Sequence, residues 1–208
     1  SIAFALIATA VCLIIGYPLA YFMSRQSPRA QRILMVLVML PMWCNLLIRT
    51  YSIMAILDNG GILNTILGTS MQIVGTKGAV IFGMVYDFLP YMVLPIYSIM
   101  AKMDIRLIEA AHDLGCNSIA TLRRVIFPLS LPGVMSGITM VLIPSISTFY
   151  ISQKLGNGKF FLIGDAIEGQ YVANNLHFAA AIAFILMIIL LVCMGIANYF
   201  TSKRVYGG

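Results

Sequence analysis

The sequence predicts an all-α polytopic membrane bundle, and three observations predict it. Of its 208 residues 61% are hydrophobic and only 10% are charged, against about 25% charged in a soluble domain. The apolar residues gather into five stretches, each about 20 residues or longer, the length a helix needs to cross about 30 Å of hydrocarbon. The basic residues, which set a net charge of +6, fall in short clusters in alternate gaps between those stretches, as cytoplasmic loops do. That scatter argues against a nucleic-acid-binding face.

The first stretch, 2–23, has neither a charged leading region nor a small-residue cleavage site, so it reads as a membrane helix and not a signal peptide. Arg25, Arg29 and Arg32 follow it with no acidic residue, which places this loop in the cytoplasm and the N-terminus outside. A start outside the membrane carries the expectation that an earlier span precedes these residues. The second stretch, 33–57, holds Arg49 and is expected to break at Pro41. Residues 58–77 are Gly-rich and too weakly apolar to span, and read as an external loop with an interfacial helix. The third stretch, 79–101, carries Asp87, Pro90 and Pro95, and the fourth, 129–151, carries Pro132 and Pro144. Residues 152–177 are assigned outside and 178–200 form the fifth span, with Lys203 and Arg204 marking a cytoplasmic end. Residues 1–208 thus read as one membrane domain, N-outside and C-inside.

Chemistry-bearing motifs are few. Cys12, Cys44, Cys116 and Cys193 are single and widely spaced, giving no metal pattern and no disulfide framework. No Gly-Lys-Ser/Thr phosphate loop is present, so the chain does not bind ATP by that route, and no cofactor is expected. An intramembrane enzyme would need a paired constellation inside the spans, and neither His112 nor His177 lies there.

Arg49 and Asp87 are the ionisable side chains well inside spans. Each lies about 13 Å deep from its external boundary at about 1.5 Å per residue, so they are matched for pairing across neighbouring helices. Either the two form a structural ion pair, or at least one faces a wet cavity and meets cargo. Met42, Asn45, Arg49 and Ser52 fall on one face of the second span at helical spacing, and Asp87, Tyr91, Leu94 and Ser98 on one face of the third. Trp43, Tyr86 and Tyr91 add aromatic faces suited to an alkyl ammonium. Intramembrane prolines free backbone carbonyls that need a neighbour or water, as a kinked bundle around a cavity supplies.

The longest polar interruption is 109–128, with Lys102, Asp104 and Arg106 just before it. Leu107, Ala110, Ala111, Leu114 and then Ile119, Leu122, Ile126 recur at three- and four-residue steps, predicting two short amphipathic helices. Gly115 sits where the first must stop, Asn117 and Ser118 offer a cap for the second, and Pro128 is expected to end it. The run Glu109-Ala110-Ala111, Gly115 and Pro128 resembles the coupling loop of ABC importer permeases, with Val125 and Phe127 in place of the usual Ile and Leu. The stretches PMWCNLLIRTY (41–51), GMVYDFLPYMVLPIYS (83–98) and FPLSLPGVMSG (127–137) are similar to the spermidine/putrescine importer permeases.

The resemblance implies a non-enzymatic subunit of a bacterial cytoplasmic membrane, moving polyamines. It further implies a dimer of cytoplasmic ATP-binding subunits, a second, paralogous permease and an external substrate-binding protein as partners. Glu109, Ala110, Ala111, Gly115 and Pro128 would couple to the ATPase. Asp87, Tyr91, Tyr86, Trp43, Asn45 and Arg49 are the candidates for the substrate path, on location and chemistry alone. A permease for thiamine, iron or an inorganic anion, or a passive channel, remains the alternative.

Overall fold

The computed structural model describes residues 1–68 and 72–205, and the side chains among these up to 195 apart from Leu67. The basic pair Lys203 and Arg204 therefore lies outside the described side chains. Eleven α-helices follow in order: α1 (Ile2–Ser24), α2 (Pro28–Trp43), α3 (Leu46–Leu57), α4 (Ile62–Leu67), α5 (Lys77–Ala101), α6 (Arg106–Asp113), α7 (Ser118–Thr121), α8 (Phe127–Ser147), α9 (Tyr150–Leu155), α10 (Ile163–Val172) and α11 (Leu176–Val205). No strand occurs among the described residues. Among the described residues five segments are long and apolar enough to cross a membrane: Ile2–Ser24, Leu46–Ile66, Lys77–Ala101, Ser118–Ser147 and Leu176–Gly195.

The bundle is built around α5. Its Met84, Met92, Val93, Ile96 and Met100 are sealed from solvent by α1 on one side and α8 on another. Hydrocarbon outside a bundle is as apolar as its core, so close packing must supply what the hydrophobic effect supplies in water. Small residues make that packing possible. Gly16 of α1 faces Met92 and Val93, while Gly133 and Gly137 of α8, one turn apart, sit against the α5 backbone from Met92 to Ile96. Hydroxyls in the same helices return to their own preceding turn, as Thr9 does to the Ala5 carbonyl (2.7 Å) and Ser145 to the Val141 carbonyl (2.6 Å). Each of these bonds satisfies the hydroxyl's own donor in an apolar setting.

The segments α2 and α3 run against α5 in opposite sense. The Tyr97 hydroxyl donates to Gln31 Oε1 at 3.1 Å near one end of α5. Arg49 meets Asp87 midway, and Leu57 shares a cleft with Ala79 near the other end. The stretch read as the second span is thus one course along α5, interrupted at Cys44 and Asn45. Pro41 does not break it where expected: its ring lies in the last turn of α2, and the chain departs from helix three residues later, where Cys44 becomes extended. Asn45 then restarts the helix by accepting the Leu47 amide at 2.8 Å.

Pro128 also behaves differently from the expectation. No helix ends there, because α7 passes through a π-helical turn at Leu122–Ile126 straight into α8, in which Pro128 occupies the first turn. A wider turn just before the ring relieves the clash and missing donor that a proline imposes on a regular α-helix. The fourth span therefore starts at Ser118, on the polar side of its predicted boundary.

The α5–α8 contact yields a paired expectation. A β-carbon at Gly133 would lie 2.8 Å from the Pro95 carbonyl oxygen and 3.1 Å from the Ile96 α-carbon, whereas Gly195 has nothing within 4 Å. Gly133→Leu is expected to destabilise the protein by about 1 to 3 kcal/mol through overpacking. Gly195→Ala should be neutral or stabilising by up to about 1 kcal/mol. Thermal unfolding of detergent-solubilised variants measures both, and equal midpoints would remove the glycine contact from its place in the fold.

Candidate functional site

The polar interruption folds into an elbow. Asp104 Oδ1 accepts the Arg106 amide at 3.0 Å and so opens α6. At its other end, the Gly115 amide donates to the His112 carbonyl (2.9 Å) and the Cys116 amide to the Ala111 carbonyl (3.0 Å). Those two bonds with Gly115 at φ +83° form a Schellman stop, a left-handed backbone position that glycine adopts without penalty. Asn117 Oδ1 then accepts the Ala120 amide at 2.8 Å and caps α7. Two capped ends around one glycine fix the angle between the helices.

The elbow shows its surroundings an apolar ridge within a charged rim. Ala111 is buried against the chain's own body, and Met103, Ile108 and Leu122 tie the elbow to the core. Ala110 and Glu109 are exposed, and so are Leu107, Leu114 and Ile119, the last two at 85% and 76%. The Ala-Ala pair is therefore split between an inner and an outer face. Leu107, Ala110 and Leu114 make one ridge at helical spacing, rimmed by Arg106, Glu109 and Asp113. Arg123, Arg124 and Pro128 are exposed beyond it.

A second constellation lies at mid-depth. Arg49 Nη1 stands 3.0 Å from Asp87 Oδ1, with the two side chains 12% and 1% exposed. Asp87 is closed off, and its Oδ2 has no hydrogen-bond partner among the described residues. Arg49 reaches one end of a cleft of about 460 Å³ between α3, α4 and α5, whose other lining residues include Ser52, Ile56, Phe82 and Tyr86. Tyr91 is partly exposed on α5 with its ring against Phe88 (6.3 Å between centroids). Trp43, 76% exposed at the end of α2, and Asn45, the exposed cap of α3, do not line the cleft. The break at Cys44 also takes Met42 off the helix that carries Arg49, whereas the Asn45 carbonyl opens that helix by accepting the Arg49 amide at 3.1 Å.

Sequence reasoning missed a further cluster. Tyr51 and Tyr150 meet edge to face at 6.2 Å, and Lys154 Nζ lies 5.4 and 5.8 Å from the two ring centroids. Ninety-nine residues of chain separate the rings, and no local pattern connects them.

Comparison with known proteins places this geometry. Residues 12–206 match the model of the family described as the binding-protein-dependent transport system inner membrane component. The chain is 41% identical over 209 residues to the spermidine/putrescine transport system permease protein PotB of Haemophilus influenzae, covering 96% of this chain and 73% of that one. It is 39% identical over 197 residues to PotB of Escherichia coli, covering 91% and 72%. A chain of the MetNI methionine ABC transporter in an inward-facing conformation superposes with a TM-score of 0.76 at 17% identity, covering 98% of this chain and 92% of that one. A chain of a bacterial alginate ABC transporter, crystallised with an alginate pentasaccharide-bound periplasmic protein, gives 0.74 at 14% identity, covering 99% and 78%. At that identity both show a shared fold.

The ion pair generates its own expectation. Breaking a buried pair leaves an uncompensated charge, so Asp87→Leu or Arg49→Met alone should destabilise by about 3 to 5 kcal/mol, and the double change Arg49→Met with Asp87→Leu should recover most of that. A double-mutant cycle on thermal stability measures it; additive losses would show that the two side chains do not act as a pair.

Proposed function

The chain belongs to the binding-protein-dependent transport system inner membrane component family, and from that premise we propose that it is a permease subunit of an ATP-driven importer for linear polyamines such as spermidine and putrescine. The transport role is supported most directly by the elbow. It is a rigidly capped pair of short helices with an exposed apolar ridge, joined without a break to a membrane span. The polyamine cargo is supported by the PotB relatives and by the aromatic side chains left open on α5.

In this reading the ridge of Leu107, Ala110 and Leu114 seats in a groove of a cytoplasmic ATP-binding subunit, with Glu109 on its rim. A second copy of the ATP-binding subunit holds the elbow of a paralogous permease. Closure of the two ATPases on ATP draws the elbows together. Because α7 continues into α8, the displacement passes into the membrane as movement of one rod. The pathway between the two permeases turns outward, an external binding protein delivers cargo, and hydrolysis resets the inward-facing state. The partly exposed rings of Tyr86 and Tyr91 present π-faces to passing ammonium groups. Arg49 and Asp87 neutralise one another, and so hold α3 to α5 without repelling a cation.

Purified complex in proteoliposomes tests the cargo: ATP-dependent uptake of labelled spermidine should be competed by putrescine and not by thiamine, ferric iron or phosphate. Competition by one of the latter alone would overturn the polyamine reading. For the elbow, Gly115→Asp places a side chain at φ +83°, a strain of about 1 to 2 kcal/mol, and Glu109→Lys reverses the rim charge. Each is expected to lower coupled uptake by about tenfold or more, equivalent to about 1.4 kcal/mol of coupling, while membrane insertion persists. Wild-type uptake in both variants would remove the elbow from the coupling role.

A further inference from the structure

A pocket of about 360 Å³ lies between α9 and α10, in the segment assigned to the outside, and the functions above leave it unused. Its wall on α10 carries Asp165 and Glu168, three residues apart and therefore on one face. Phe160, Phe161 and Val172 supply apolar walls. Ser152 Oγ donates to Asp165 Oδ2 at 2.8 Å and the Leu162 amide to the same oxygen at 2.7 Å. Gln153 gives its amide hydrogen bond to Glu168. Among the described residues Asp165 Oδ1 is left without a hydrogen-bond partner, although Asp165 is only 5% exposed.

The electrostatics of the pocket are one-sided. Neither acid is ion-paired among the described residues. Lys154 is turned to the Tyr51 and Tyr150 rings, and Lys159 lies by Gly75. Burial raises the Asp165 pKa, and the neighbouring Glu168 charge adds to the rise against the hydrogen bonds that lower it. A positive charge placed between the two carboxylates would relieve that repulsion and complete Oδ1. A hard metal ion fits poorly, since calcium takes six to eight oxygens and here one carboxylate oxygen is already committed to two donors. An alkyl ammonium fits better: it needs few acceptors and its methylenes suit Phe160, Phe161 and Val172.

We propose that the α9–α10 pocket is an entry site for one ammonium group of a linear alkyl amine, with Glu168 and Asp165 Oδ1 as its acceptors and Phe160 and Phe161 flanking the carbon chain. The inference rests on the amine-importer reading and adds a place where cargo pauses before the membrane. The site is selective by chemistry: it favours a primary ammonium on a flexible chain over an anion or a zwitterion, whose carboxylate would meet the two acids.

The test uses the complete transporter in proteoliposomes and nanodiscs, with tritiated 1,4-diaminobutane as probe. Glu168→Gln removes the charge, and Phe161→Ala alters a side chain that is 80% exposed and so free of any packing role. Each is expected to raise KM for uptake by about tenfold or more in Glu168→Gln and by about threefold in Phe161→Ala, with the maximal rate kept and Glu168→Asp restoring part of the loss. Unchanged KM in both variants, while the wild type imports the diamine, overturns the pocket and leaves the importer reading standing. Failure of the wild type to import any diamine overturns the importer reading. Equilibrium binding to the same nanodiscs then decides the pocket alone: binding lost in Glu168→Gln supports it, and no wild-type binding overturns it.

Discussion

The contact on which this bundle depends is the one where Gly133 and Gly137 of α8 lie directly against the backbone of α5. Within lipid, helices gain little from hiding apolar side chains, and what holds them is the number of atoms brought into van der Waals range. Two glycines one turn apart let α8 approach α5 more closely than any larger residue would allow, and Gly16 does the same for α1. Around that axis the remaining helices are arranged by weaker means. One ion pair and the Tyr97–Gln31 hydrogen bond hold the α2–α3 course, and a small apolar cluster of Ala5, Ile146 and Leu186 gathers the far ends of α1, α8 and α11.

The Arg49–Asp87 pair shows how such a bundle tolerates charge. Either ion alone at the bilayer centre is expensive, by about 2.5 to 3.5 kcal/mol on insertion scales, and the pair recovers part of that at 3.0 Å. It also pins a short helix, α3, on which Leu47 and Ile48 are exposed and Tyr51 meets the Tyr150 ring and Lys154. With Asp87 sealed at 1% exposure, cargo would reach that carboxylate only if α3 moved away from α5. The open aromatic rings and the cleft beside Arg49 are what the present conformation offers to a solute.

Much of this arrangement was legible in the sequence, for physical reasons that differ by element. The number of spans followed from run length, because a bilayer demands an apolar stretch of fixed extent whatever its partners, whereas the second and fourth candidate spans, Leu46–Ile66 and Ser118–Ser147, depart from the expected 33–57 and 129–151. The elbow followed from local chemistry, since Gly115 and Asn117 each act on backbone groups within a few residues. The pairing of Arg49 with Asp87 followed from matched depth. What escaped was set by three-dimensional context. Pro128 reads as a terminator, yet a preceding π turn absorbs it. Pro41 reads as the break, yet the chain departs at Cys44 because Asn45 provides the better start. The Gly133–Gly137 step was visible as letters, but its meaning depends on which helix comes to face it. The Asp165–Ser152 bond joins residues on α9 and α10, which no periodicity links.

Helices α9 and α10 bear on how movement at one end of the bundle reaches the other. The run from Ser118 to Ser147 is about 45 Å long at about 1.5 Å per residue, with the elbow at one end and α10 at the other. Gly164 of α10 packs onto the last carbonyls of α8 at Ser147 and Thr148, whereas α9 is seated on Gly83 of α5 through Ile151 and Leu155. The two walls of the α9–α10 pocket are therefore carried by different spans. Gly133 and Gly137 let α8 sit close on α5, with the Met92 and Ile99 side chains of α5 filling in around them, and a small shear of packed helices is one way such a contact moves. On the proposed reading, a pull on the elbow turns α8 against α5 and moves Asp165 and Glu168 relative to Ser152 and Gln153. Cargo held between those walls would then be gripped or released by the same displacement that reorients the pathway, and entry would be timed by ATP without any additional moving part.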